Sequence, residues 1–250
     1  MSLLRSSGYR PAVRRLGLLV ALAGLVSAVT ACEPGADVTI ALWQMNEGPG
    51  ARTMVDGGPH QMNGSIGSAV QTGVNFGGAT GYRWSTTDQS PPVKPERLVR
   101  VSDSRLNPGS RDYAVTVRFR TTRSFGNMIQ KGQALTPGGY FKWEIPNGRL
   151  FCLFRSRDSE GRLLGERGIR APRALNDGAW HTVRCEKTHD RVTMTIDGGE
   201  PVRSSASEIG PISNTMPLSI AGKVQCDQVS DTCDYFSGDI DWVRIEASSA

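Results

Sequence analysis

Ala114-Val115-Thr116-Val117-Arg118-Phe119-Arg120 alternates without a break. Val115, Val117 and Phe119 share one face of an extended chain; Thr116, Arg118 and Arg120 share the other. This period-two pattern predicts a β-strand with one buried and one wet face. Residues 191–197 repeat it, with Val192, Met194 and Ile196 inward.

Working outward, further strands are expected near 37–46, 97–102, 126–131, 139–145, 148–155, 180–187, 217–222 and 238–246. Turn signals separate them: Asp56-Gly57-Gly58-Pro59, Pro137-Gly138-Gly139, Asn176-Asp177-Gly178 and Asp197-Gly198-Gly199. Asn147-Gly148 is the sharpest and predicts a two-residue hairpin turn between residues 140–145 and 149–154. Gly 29 and Pro 14 are too many for a helical bundle, and 38% hydrophobic residues argue against disorder. No linker, tandem repeat or helical stripe interrupts residues 36–250. About a dozen short strands imply an all-β fold, an antiparallel two-sheet jelly-roll sandwich.

The formal charge of +5 comes from the N-terminus. Arg5, Arg10, Arg14 and Arg15 precede the first acid, Glu33, and the rest of the chain holds 25 basic against 24 acidic residues. A general basic patch for nucleic acid is therefore excluded. Leu16 to Ala31 reads LGLLVALAGLVSAVTA, too short for the ~20 residues of a spanning helix. With the basic segment before it, residues 1–31 read as a secretory signal peptide, and 32–250 as a single domain. Val29-Thr30-Ala31-Cys32 is similar to a bacterial lipobox, so Cys32 is either a lipidation site or a terminal thiol left by ordinary cleavage. Either way the mature protein works outside the cytoplasm. A membrane is met only through that lipid or an uncleaved signal.

The other cysteines, Cys152, Cys185, Cys226 and Cys233, form an even set suited to an oxidising compartment. A Cys152–Cys185 bridge would staple neighbouring strands of one sheet, contributing roughly 3–4 kcal/mol by loop entropy. Cys226–Cys233 would cinch a short loop. The absence of any C-x-x-C spacing argues against a four-cysteine metal site.

In order along the chain stand Trp43-Gln44-Met45-Asn46-Glu47-Gly48, Val74-Asn75-Phe76-Gly77-Gly78, Met128 to Gly132, Asp177-Gly178-Ala179-Trp180-His181-Thr182-Val183, and Phe236-Ser237-Gly238-Asp239-Ile240-Asp241-Trp242. This ordered set resembles the laminin G-like domains of the concanavalin A-like lectin/glucanase superfamily, in their bacterial secreted branch. The resemblance covers nearly all of 36–247 and implies the same sandwich. Trp180 is read as filling the core between sheets and His181 as capping the start of its strand.

Because the superfamily includes glycoside hydrolases, chemistry has to be tested. Retaining enzymes need two carboxylates about 5 Å apart, and in the family 16 hydrolases these lie in Glu-x-Asp-x-x-Glu. Here the nearest stretch is Asp239-Ile240-Asp241-Trp242-Val243-Arg244, with Arg where the acid/base would stand. Arginine cannot exchange a proton near neutral pH. His60, His181 and His189 lack zinc-site spacing, and no G-x-S-x-G elbow occurs. The expectation is no catalytic residue and a binding module, carbohydrate-binding and lectin-like. The alternatives are a protein-binding or structural surface module and a diverged glycoside hydrolase. The partner is an extracellular glycan or protein.

Candidate contacts are Tyr82 and Trp84 after a glycine-rich turn, and Tyr140 and Trp143 on a strand, rings that either stack on sugars at the rim or pack in the core or at a sheet edge. The second candidate is calcium. The resemblance places a metal near acids of the first and last strands, here Glu47, Asp239 and Asp241, and alternation turns Glu47 and Asp241 inward. The disulfide loop Asp227–Asp234, with Asp227, Asp231 and Asp234, is a rival cation site.

Overall fold

The computed structural model describes residues 35–227 and 232–249. The signal-type segment and Cys32 lie outside the described residues. The strands are β1 (Val38–Trp43), β2 (Thr53–Met54), β3 (Gly64–Ile66), β4 (Gln71–Asn75), β5 (Thr80–Trp84), β6 (Val99–Val101), β7 (Tyr113–Arg120) and β8 (Asn127–Lys131). They continue as β9 (Tyr140–Glu144), β10 (Phe151–Arg157), β11 (Leu163–Arg170), β12 (His181–Lys187), β13 (Val192–Ile196), β14 (Val202–Arg203), β15 (Leu218–Ile220) and β16 (Gly238–Ala247). Among the described residues the helical elements are short 3₁₀ turns.

The first sheet runs β14-β13-β12-β7-β16-β5-β4, with β1 also paired to β16; the second runs β11-β10-β9-β8-β15-β6-β3-β2. The named strands pair antiparallel, and the inner faces of both sheets share one apolar core, giving a jelly-roll sandwich. Val115, Val117 and Phe119 of β7 are fully buried there. On the second sheet Phe141, Trp143 and Phe154 meet edge to face or tilted at centroid separations of 5.3–6.0 Å.

Both disulfides are formed. The first does not staple one sheet. Cys152 lies on β10 of the second sheet and Cys185 on β12 of the first, both fully buried, so the bridge joins the two layers through the core. The reason is parity: each cysteine occupies an inward position of its strand.

Asn147-Gly148 does not make a two-residue hairpin. β9 and β10 do pair, with Phe151 opposite Glu144, but the connection spans residues 145–150. Asn147 and Gly148 take φ of 55° and 75°, as the dipeptide favours. Neighbouring chain then claims the loop's backbone: Ile145 N donates to Gly126 O and Leu175 N to Gly148 O, at 2.9 and 2.8 Å. β11 escaped the sequence reading because it carries two glycines. They admit close neighbours, since a Cβ at Gly165 would fall 2.6 Å from Glu208 O and one at Gly168 2.5 Å from the Phe151 ring.

Candidate functional site

The site follows from how β16 is paired. β7 runs along one side of it. On the other side β5 covers Gly238 to Ile240, and β1 covers Val243 to Ala247. At the changeover the register with β7 slips, Ile240 standing opposite Phe119 and Trp242 opposite Arg118. Asp241 is the extra residue of a β-bulge. β5 can approach closely here because residue 81 is glycine; a Cβ would lie 2.5 Å from Ile240 O. Where β1 ends and β5 begins, the first sheet's outer face opens into a depression of about 560 Å³. Gln44, Asn46, Thr80, Asp241, Trp242 and Arg244 are among its lining residues. Trp242 is half-buried, and the Arg244 guanidinium lies 5.9 Å from its ring centre.

Beside the depression lies a band of arginines. Arg118 Nη1 donates to Asp241 Oδ2. Arg83 grips Asp239 with Nε at 2.7 Å and Nη2 at 3.1 Å, while Arg120 Nε donates to the same carboxylate at 2.7 Å. Trp180 covers Arg118 and Arg120, its ring centre 4.6 and 5.0 Å from the two guanidiniums. Phe76 lies 4.9 Å from Arg120 and packs edge-on against Trp180 at 5.1 Å. Further along, Glu246 receives Arg184 Nη1, and its other oxygen is 3.4 Å from Arg244 Nε.

This arrangement corrects several expectations. Trp180 does not fill the core: it precedes the inward-facing His181, falls on the opposite parity and roofs the outer arginines while remaining half-exposed. His181 ties two turns together, with Nδ1 2.8 Å from Asp197 Oδ2 and Nε2 3.0 Å from Asp177 Oδ1. Burial pushes the Asp197 carboxyl up, but hydrogen bonds from His181 and the Thr182 N–H outweigh it and hold it below the usual carboxylate range. The four aromatic candidates are not exposed platforms: Tyr82, Trp84, Tyr140 and Trp143 are at most 4% exposed. Tyr82, Trp84 and Trp143 point into the sandwich, and Tyr140 lies under the Arg155 guanidinium. Burial pushes the Tyr140 hydroxyl up to about 12.

The three proposed calcium ligands are each engaged by groups of the protein. Glu47 accepts from the Tyr82 hydroxyl and from Val55 N, and burial followed by that bond pushes the Tyr82 hydroxyl well above its ordinary range. Asp239 and Asp241 are engaged by arginine, and the bulge turns Asp241 outward rather than inward. In the rival loop, Lys223 Nζ bridges Asp227 and Asp234; Asp231 lies outside the described residues. Among the described residues no cluster of three or more His, Cys, Asp or Glu could hold a metal. The residues that build the depression, Gln44, Asn46, Trp242 and Arg244, were not singled out as contacts by sequence reasoning, nor were Phe76 and Arg83. Counting strand parity from the inward Cys185 back to Trp180 would have found one of the platform's rings.

Comparison with known proteins places the whole. A laminin G domain family model matches residues 119–248. The chain is 34% identical over 87 residues to laminin subunit alpha-1 of Mus musculus, covering 35% of this chain and 3% of that protein. It is 28% identical over 94 residues to neurexin 1 of Drosophila melanogaster, covering 38% of this chain and 5% of that protein. The chain thus spans a small part of the length of these relatives. Among solved structures, the binding domain of botulinum neurotoxin DC in complex with SialylT superposes with a TM-score of 0.53 at 13% identity, over 85% of this chain and 47% of that one. At that identity the likeness is one of fold. The family match runs from the end of β7 through β16, whose Asp241, Trp242 and Arg244 line the depression, and the chain belongs to the laminin G domain family.

Proposed function

We propose that residues 32–250 act outside the cytoplasm as a non-catalytic module that binds a polysaccharide in the depression beside β16. The observation that carries this reading is the half-buried Trp242 ring set among Gln44, Asn46, Thr80, Asp241 and Arg244. An apolar ring face flanked by hydrogen-bonding side chains suits a pyranose, which is apolar on its C–H face and polar round its rim. The solved neighbour complexed with SialylT, alike in fold only, is consistent with this use of the sandwich. Two disulfides support export to an oxidising compartment. Residues 1–31 supply the export signal, with Cys32 as the residue to be acylated or exposed. Among the described residues no helix is long and apolar enough to cross a membrane.

Against catalysis stands the engagement of the nearest acids. Asp239 is held by two arginines and Asp241 by one, and Arg244 occupies the position where an acid/base would be needed. Exposed Leu135, Leu163 and Leu164 favour a second reading, a protein-binding surface module.

The test is retention on a panel of immobilised polysaccharides. The native protein is retained by at least one glycan, and Trp242→Ala is not. Retention by none favours the protein-binding reading. Release of reducing sugar that disappears in Asp241→Asn would overturn the non-catalytic assignment.

A further inference from the structure

Asp241 is 8% exposed and lines the depression. Its Oδ2 accepts from Arg118, while its Oδ1 has no hydrogen-bond partner among the described residues. Arg118 is itself fixed from the far side by the Trp180 ring at 4.6 Å. The carboxylate is therefore held in place from behind, and its other oxygen is left for a ligand. Across the depression Asn46 Nδ2 donates to Gln44 Oε1 at 3.3 Å. That leaves Gln44 Nε2 as a donor and Asn46 Oδ1 as an acceptor, both on exposed side chains.

The guanidiniums at the depression each have a carboxylate beside them, although Arg184 also takes Glu246. Arg118 is paired with Asp241, and Arg244 stands beside Glu246. An incoming anion would meet the negatively charged, unoccupied oxygen of Asp241 at close range, a repulsion that a neutral ligand does not suffer. A hydroxyl meets it differently: it donates to the carboxylate in a charge-assisted bond and accepts from an amide N–H.

We propose that this depression takes a neutral, hydroxyl-rich glycan, with Asp241 accepting from the ligand's hydroxyls and Arg118, under Trp180, as the positioning residue for Asp241. The assignment rests on the polysaccharide reading and names its substrate class. The preference for an uncharged sugar thus comes from a cross-strand pair between β7 and β16, of which Asp241 lines the depression.

The experiment is affinity electrophoresis of the oxidised, full-length exported protein through native gels. One set of gels contains a neutral β-glucan or galactomannan, the other polygalacturonate or heparin. A neutral glycan retards the protein, and the retardation is unchanged when salt is raised from roughly 0.05 to 0.5 M. Asp241→Asn weakens it by about tenfold or more, the size of one charge-assisted hydrogen bond. Arg118→Met weakens it comparably, Arg118→Lys restores part of the loss, and the double variant Asp241→Asn with Arg118→Met is no weaker than either alone. Should these variants lose their melting transition, Gln44→Ala with Asn46→Ala, both exposed, replaces them, and weaker retardation by the neutral glycan is again expected. Retardation by the anionic polymers alone, still dependent on Trp242, overturns the neutral assignment and leaves the polysaccharide reading standing. Undiminished binding by folded Asp241→Asn, or by the amide pair, also overturns it. Retardation by no polymer overturns both.

Discussion

β7 carries two chemistries on opposite faces. Inward, Val115, Val117 and Phe119 are sealed in the core, with Phe119 6.4 Å from the Phe236 ring and 6.2 Å from that of His181. Outward, Arg118 and Arg120 lie half-buried under Trp180 and are paired with the carboxylates of β16. The inner face works by exclusion of water, which is non-directional and needs only apolar volume at alternate positions. The outer face works by directed bonds, which need particular partners at particular registers. The first can hold a fold together across many sequences; the second is where this chain acquires a specific surface.

Substitutions can pull that contrast apart. Phe119→Ala should be the most damaging, with an expected loss of about 3–5 kcal/mol in denaturant unfolding, since it opens a cavity between two aromatic neighbours. A smaller loss would mean the core repacks round the gap. Asp239→Asn is next. It removes the charge shared by Arg83 and Arg120, whose side chains are 41% and 31% exposed, and water screens part of the effect. A loss on the order of 1–2 kcal/mol is expected, falling further in high salt. A salt-independent loss would show that the band acts by packing instead.

A third effect, read from pH dependence, concerns an ion placed on the inner side. Lys131 ends β8 opposite Phe141, and its Nζ donates to Asn214 O at 3.2 Å and to Met216 O. Burial lowers its pKa to about 8, against 10.5 for the free side chain. The folded state therefore disfavours the charged lysine, a penalty fully present below about pH 8 and relieved as the pH climbs toward 10.5. In that window the unfolded chain binds more protons, so stability should rise with pH relative to Lys131→Met. Parallel pH profiles of the two proteins would remove Lys131 from this account.

The strands at 113–120, 181–187 and 192–196 were legible because period-two counting works wherever a ladder is regular. It failed at β16. Read by parity alone, Asp241 belongs with Val243 and Ile245 and faces inward. The bulge opposite Arg118 resets the count, and nothing in Asp239-Ile240-Asp241-Trp242 announces it. Tyr82 and Trp84 were left open between rim and core for a different reason. They flank Arg83 in alternation and so share its strand's inner face, but the glycines before them suggested an exposed rim. Trp143 lies between two outward charged residues, Lys142 and Glu144, and the same alternation puts it inside.

The pattern of residues along the chain determined the class of fold and the four cysteines that would pair, because both depend on residue type and local spacing. Which sheets the Cys152–Cys185 bridge joins, which way Asp241 points and which arginines Trp180 covers were decided in three dimensions. Those outcomes depend on register between strands far apart in sequence, set by β1, β5 and β7 competing for the two sides of β16, and no window of the sequence contains all four.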